Sequence, residues 1–358
     1  MDLDGKGRLE RLRARLDQLG LGGMLVNTQE NRRYLSGFTG SNAFLVILPQ
    51  RAYLCTDFRY LEQAALQAPD FEVVQLERPW TKTIGALLTR GSCPVAFESE
   101  HLSYDTYVEL LRGIPDVEFR PQKGLIEALR MVKDADEVKL LREAIKMTDR
   151  GVDFLRSYLK PGLTEQEVAL ELEFFLRRLG ANGPAFSFIV ASGTRSSLPH
   201  AEPTERRLEV GDLLTIDFGA VYKGYHSDLT RTFVFGEPTA KQRSLYDLVL
   251  EAQIAGIEAA QPGVPVAEVD RAARSVIEQR GHGEHFGHSL GHGVGLAIHE
   301  GPHLSAECPE VLQPGMVVTV EPGVYIPGFG GVRTEDIILV TTTGNEILSQ
   351  APKHSFIL

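Results

Sequence analysis

The chain is poor in cysteine, in net positive charge and in long apolar runs, and each shortage removes a class of function. Only three cysteines occur in 358 residues, Cys55, Cys93 and Cys308. They form no C-x-x-C pair and no disulfide framework, so reduced thiols in a cytoplasmic protein are expected. Lys and Arg number 37 against 48 Asp and Glu, a formal charge of −11. That balance disfavours nucleic acid or an anionic membrane surface as a partner. No stretch approaches the roughly 18 apolar residues of a membrane span. The amino-terminal MDLDGKGRLERLRARL is charged where a signal peptide would be apolar. What remains has 43% hydrophobic and 24% charged residues, an ordinary globular balance, and is long enough for two domains.

Residues 1–130 alternate short apolar runs with amphipathic segments. Helices are predicted over Arg8–Leu19, Arg59–Leu66, Trp80–Leu88 and Tyr104–Leu111. Strands are predicted over Leu21–Val26, Phe44–Leu48, Ala52–Cys55, Phe71–Leu76, Val95–Phe97 and Val117–Phe119. The alternation indicates an α/β domain. A boundary is placed near residue 130, so that residues 131–358 form a second domain. There a long helix, Glu137–Leu159, ends at Pro161-Gly162, and a new helix starts behind a Thr164–Glu167 capping box. The pattern returns: a helix over residues 240–260, itself opened by Thr239 and Gln242, ends at Pro262-Gly263 before another restart. This reads as a duplicated helix–helix–strand unit, with the strands of both halves expected in one curved sheet and a site between the halves.

The chemistry concentrates in four stretches of the second domain: FIVASGTRSSLPH, LLTIDFGAVYKGYHSDLTRT, FGHSLGHGVGLAIHE and VVTVEPGVYIPGFGGVRTEDIILV. In the second, strands flank Tyr222-Lys223-Gly224, and a tight turn would set Asp217 and Asp228 almost opposite each other. Carboxylates so close repel unless a proton or a cation lies between them. Solvent-facing aspartates are the alternative for that stretch alone. The other stretches add His292, Glu321 and Glu335. Carboxylates with one imidazole suit Mn²⁺, Co²⁺, Fe²⁺ or Zn²⁺, and four carboxylates are offset by two divalent cations. Gly287, Gly291, Gly293 and Gly295 crowd the histidine segment. They argue against a helix there and for backbone forced close to a neighbour.

The motifs TIDFGAVYKGYHSDLTRTF, HSLGHGVGLAIHEGP, TVEPGVYIPG and VRTED resemble, as a set, the pita-bread metallopeptidase family, in the branch of Xaa-Pro aminopeptidases and Xaa-Pro dipeptidases (prolidases). The amino-terminal NRRYLSGFTGSNAFLVI and LCTDFRYLEQA resemble the smaller domain of that branch, so the likeness covers nearly the whole chain. It implies a creatinase/prolidase-like α/β domain followed by an α+β pita-bread catalytic domain with an internal pseudo-two-fold repeat. It also implies a homodimer. The amino-terminal domain separates the chain from methionine aminopeptidase, and the intact ligand set separates it from creatinase and from an inactive peptide-binding module.

By that resemblance Asp217 binds one metal, Asp228 and Glu335 bridge two, and His292 and Glu321 bind the other. The metals are Mn²⁺ or Co²⁺ first, with Zn²⁺ or Fe²⁺ as alternatives. Glu321 also shuttles a proton in hydrolysis of a proline-containing peptide. His200, His288 and His299 line the substrate cleft, and His288 and His299 stabilise the oxyanion. Thr230 and Arg333 orient carboxylates. Phe186, Phe188 and Tyr325 are candidates for the proline pocket. Prolidases of similar sequence often carry arginine after His-Glu-x-Pro, an anchor for a dipeptide's carboxylate. Here HEGPHLS has His303 in that place. Histidine is a weaker anchor, which tilts the expectation toward an Xaa-Pro aminopeptidase, with the dipeptidase as alternative. Arg195 is a second candidate anchor.

Overall fold

The computed structural model describes residues 5–88, 93–354 and 356–358. The chain divides into two units, Met1–Arg130 and Met131–Leu358.

In the first unit, helix Gly5–Gln18 turns Leu9, Leu12 and Leu16 inward, three and four residues apart as a single helix face requires. A six-stranded sheet runs in the order Glu72–Gln75, Ala52–Thr56, Ala43–Ile47, Gly23–Val26, Val95–Glu98, Phe119–Gln122. Ala43–Ile47 and Ala52–Thr56 pair as an antiparallel hairpin, while the outer strands pair in parallel. Leu25, Val46, Cys55, Ile84, Phe97 and Leu110 meet in its core. The last strand, Phe119–Gln122, starts two residues later and ends three residues later than the predicted Val117–Phe119. It carries Pro121 at the sheet edge, where a missing N–H is tolerated. Helix Gln29–Ser36 was not anticipated.

The second unit is built twice. Helix Ala135–Tyr158 starts at an Asp134–Glu137 capping box, and helix Glu165–Arg178 starts at the Thr164–Glu167 box. Val152, Leu155, Val168, Leu172 and Leu176 from this pair pack on Val190, Leu214, Ile216 and Phe233 of the strands that follow. Helices Ala240–Ala259, with its Thr239–Gln242 box, and Val266–Gln279 repeat the arrangement. Their Leu245, Val249, Val269, Ala273 and Ile277 pack on Leu290, Val318, Val320, Ile338 and Val340.

Among the described residues the strands of the two halves do not merge into one hydrogen-bonded sheet. Ile189–Ser192, Leu213–Phe218 and Leu229–Val234 form one ladder, and the strands from Gly291 to Ile347 form a five-stranded ladder and a two-stranded ribbon. Pro322 and the hairpin of Gly323–Ile326 with Gly330–Arg333 interrupt the second half. The halves are joined instead by the Glu335 amide donating to the Thr230 carbonyl at 3.2 Å. The Arg333 amide also donates to the Thr232 hydroxyl at 3.1 Å.

Candidate metal centre

The Asp-bearing hairpin turns on two residues, Lys223 and Gly224, with φ of 45° and 81°. That pair of left-handed residues matches the right-handed twist of the strands. Tyr222 pairs with Tyr225, and the register carries down to Asp217 opposite Thr230. Asp228 is therefore not opposite Asp217, as the spacing suggested. It stands diagonally, two residues from Thr230 and on the same face.

Ligand atoms of Asp217, Asp228 and Glu335 nevertheless lie within 4.8 Å of one another, and all three residues are buried. Asp217 Oδ1 and Glu335 Oε1 have no hydrogen-bond partner. Their other oxygens are fixed: Arg333 donates to Asp217 Oδ2 at 2.6 Å, and the Thr230 hydroxyl donates to Glu335 Oε2 at 2.7 Å. Arg333 Nε also donates to the Thr230 hydroxyl. Burial first, and then the neighbouring carboxylates, push the Asp228 and Glu335 carboxyls well above their ordinary range. Burial likewise raises Glu321, to about 7.

His292 completes the cluster. Its Nδ1 lies 3.0 Å from the Gly293 carbonyl, which can only accept, so Nδ1 carries the proton. The bare Nε2 then faces Asp228 Oδ2 at 3.5 Å and Glu321 Oε1 at 3.3 Å. Burial lowers the pKa of this ring, keeping it neutral. An unprotonated imidazole nitrogen facing carboxylate oxygens, together with orphaned buried carboxylate oxygens, is the donor set of a hard or borderline divalent cation. The residues fit such ions.

Thr319 was missed by sequence reading. Its hydroxyl donates to Glu321 Oε1 at 2.9 Å and accepts from the His292 amide at 3.0 Å. The period of two in VVTVE, which puts Thr319 on the face of Glu321, was the available signal. Three of the four glycines have the close neighbours expected of them. A Cβ on Gly291 would overlap the Thr319 carbonyl, one on Gly293 the Gly301 carbonyl, and one on Gly295 the Glu300 carboxylate. Gly287 meets nothing.

A cavity of about 490 Å³ opens over the cluster, lined by Phe186, Phe188, His200, His288, His299 and His303 beside Asp217, Asp228, His292, Glu321 and Arg333. Tyr325 does not line it. Its hydroxyl accepts from Arg333 at 2.7 Å and lies 3.1 Å from His288 Nε2. His288 Nδ1 in turn sits 2.7 Å from the Ser289 carbonyl, so both ring nitrogens are engaged. Burial brings that ring's pKa down to about 4. Arg195 does not line the cavity either, being turned toward Glu165 and the Glu202 carbonyl.

Residues 139–342 match the model of metallopeptidase family M24, and residues 8–132 match the creatinase/prolidase N-terminal domain. The chain belongs to family M24. M24 members similar to it include an Xaa-Pro dipeptidase of Bacillus anthracis, whose solved structure superposes with a TM-score of 0.96 at 45% identity, covering 99% of this chain and 100% of that one. The Xaa-Pro dipeptidase of Pyrococcus horikoshii is 44% identical over 253 residues, 71% of this chain and 72% of the relative. An X-Pro aminopeptidase of Thermotoga maritima superposes with a TM-score of 0.89 at 36% identity, covering 98% and 99%. The two structural likenesses span 98–99% of the chain and the two family models match its two parts, so the fold is the creatinase-type α/β domain followed by the M24 pita-bread domain. The chain is accordingly a metal-dependent peptidase.

Proposed function

We propose that the chain hydrolyses the bond between the first residue and proline of free Xaa-Pro dipeptides, with two divalent cations, Mn²⁺ or Co²⁺ foremost, held by Asp217, Asp228, His292, Glu321 and Glu335. The observation that carries the metal chemistry is the convergence of three buried carboxylates within 4.8 Å beside an unprotonated imidazole nitrogen. Preference for the dipeptide is supported by the two dipeptidases described above. It replaces the aminopeptidase preference drawn from His303 alone.

When bound, the cations supply Lewis acidity and lower the pKa of a coordinated water. Glu321 accepts the proton of the attacking water and returns it to the departing proline nitrogen. His299, exposed on the cavity lining and with its pKa lowered chiefly by desolvation, offers a neutral ring N–H to the carbonyl oxygen as charge develops there. His288 serves as a fixed wall, since Tyr325 and Ser289 occupy its two nitrogens. Proline gives the leaving amide no N–H, so selection must come from shape, for which Phe186 and Phe188 form the apolar wall. His303 and His200, both on the cavity lining, are the candidates to meet the dipeptide's carboxylate.

The test compares Xaa-Pro, Xaa-Pro-amide and Xaa-Pro-Yaa-Zaa at matched Xaa by kcat/KM. Preference for the free dipeptide, lost on amidation, supports the dipeptidase. The second reading, an Xaa-Pro aminopeptidase, is favoured by His303 and by the Thermotoga maritima likeness, and requires the longer peptide to be preferred. Self-association as a homodimer is part of the proposal, and sedimentation equilibrium checks it.

A further inference from the structure

Glu165 opens helix Glu165–Arg178 and is fully buried. A buried carboxylate at a helix start would ordinarily serve the amides of its own first turn. That work is already done here by the reciprocal Thr164–Glu167 box. Glu165 instead takes five hydrogen bonds from a single distant segment. Oε1 accepts from the Ser192 amide and hydroxyl at 2.8 and 2.7 Å. Oε2 accepts from the Thr204 amide and hydroxyl at 3.0 and 2.7 Å and from Arg195 Nε at 3.1 Å. Burial alone would raise this carboxyl, but the bonds from Thr204 and Ser192 outweigh it and hold the group ionised.

One side chain thus pins both ends of the loop between Ser192 and Thr204. That loop carries His200 into the cavity. The His200 ring is exposed, and no side-chain hydrogen bond to it is present among the described residues. Its location is therefore set by its backbone, which Glu165 holds at the two ends of the loop while the Pro199 carbonyl accepts from Arg333 at 3.2 Å and the Ser196 hydroxyl accepts from the Gly331 amide at 2.9 Å. The second half of the repeat does the same with other residues. Asp270, on helix Val266–Gln279 and buried, pairs with Arg274 at 2.8 Å and accepts from the Leu290 amide. Arg274 then holds the carbonyls of Phe286 and His288 at 2.9 and 2.8 Å.

We propose that Glu165 is a positioning residue for substrate recognition: by closing the Ser192–Thr204 loop it places His200 against the peptide, as Asp270 with Arg274 places His288 in the other half. The proposal rests on the Xaa-Pro reading only for its assay. Glu165→Gln keeps the shape but turns an amide N–H₂ against donors at one end of the loop. kcat/KM on an Xaa-Pro dipeptide is expected to fall about ten-fold, mostly through KM, and by less than about two-fold when the same change is made in a His200→Ala background, since two residues acting as a unit are not additive. Asp270→Asn, acting through a different histidine, should cost the same factor in either background.

Equal losses from Glu165→Gln with and without His200, or no loss in a folded variant, overturn the proposal. If Glu165→Gln fails to fold, Thr204→Val removes a single donor and enters the same cycle with the same two outcomes. A crystal structure of the variant decides without turnover: His200 withdrawn from the cavity supports the role, and His200 unmoved refutes it. Absence of wild-type activity on Xaa-Pro peptides would count against the substrate reading and leave that structural result to stand.

Discussion

Glu321→Gln should stabilise the metal-free protein at pH 8 and destabilise the metal-loaded one. The Glu321 side chain is 16% exposed and lies beside Asp217, and its carboxyl is raised from 4.5 to about 7, by desolvation first. A folded-state pKa above the unfolded one means the native state binds the extra proton between those values. Stability from this group is thus complete below pH 4.5 and is lost as pH rises through 7. At about 1.4 kcal/mol per pH unit, the loss is about 3 kcal/mol by pH 8. Glutamine does not titrate and can still accept from Thr319. Chelated Glu321→Gln should therefore unfold about 3 kcal/mol later than chelated wild type at pH 8, and near parity with it at pH 4.5. Comparison of the two chains removes the opposite-signed contribution of the depressed histidines, which both share. Urea unfolding at the two pH values gives the numbers. With cations present the sign should reverse, because binding to the native state adds RT ln(1 + [L]/Kd) and the variant lacks a ligand. A metal-free variant no more stable than wild type at pH 8 would refute the picture of a charge-crowded site.

Arg333→Met should destabilise the protein by about 3–5 kcal/mol, because it strips a buried carboxylate of its partner; Arg333 is 3% exposed and holds Asp217, Thr230 and Tyr325. Thermal unfolding checks it, and a loss below about 1 kcal/mol would contradict it. Gly291→Ala should cost about 1–3 kcal/mol through overlap with the Thr319 carbonyl, which urea unfolding reads, and should weaken cation binding because His292 moves with it, which calorimetric titration reads. His303→Ala should raise KM for a free Xaa-Pro dipeptide by about ten-fold and leave the amidated dipeptide unchanged; equal effects on both would remove His303 as a carboxylate anchor.

The meeting of Asp217, Asp228 and Glu335 was legible because these residues sit in strand-and-turn motifs whose period and turn chemistry are local. Asp217 and Asp228 could be brought together from the hairpin alone, though only the two-residue Lys223-Gly224 turn fixes the diagonal register. Capping boxes at Thr164 and Thr239 marked helix starts correctly. Helix Gln29–Ser36 escaped because its inward face carries Asn31 and Arg32. Arg32 donates to the carbonyls of Ala43, Gly40 and Ser41, and only Tyr34 and Leu35 add apolar residues to the buried face, too few for a hydrophobic period to show. Tyr325 looked like a pocket aromatic in the sequence, but Arg333 captures its hydroxyl and turns it away from the cavity. The single curved sheet was expected from the duplication, yet pairing between halves depends on where Pro322 and the glycine-rich hairpin break the ladder, which is a tertiary outcome. Glu165 was invisible as a functional residue because its partners lie 27 to 39 positions away, and Asp270 because its i,i+4 pair with Arg274 reads as an ordinary helix-surface ion pair while the Leu290 amide it also holds lies 20 positions away.

The central claim is that Xaa-Pro hydrolysis depends on cations held by Asp217, Asp228, His292, Glu321 and Glu335. It is tested most directly by chelating the purified protein and titrating Mn²⁺ back while recording bound metal per chain and turnover of an Xaa-Pro dipeptide in the same samples. The account expects no turnover in the chelated protein, recovery that tracks metal bound and saturates at two ions per chain, and no recovery in Asp228→Asn. Full turnover by protein shown to contain no divalent metal would contradict it.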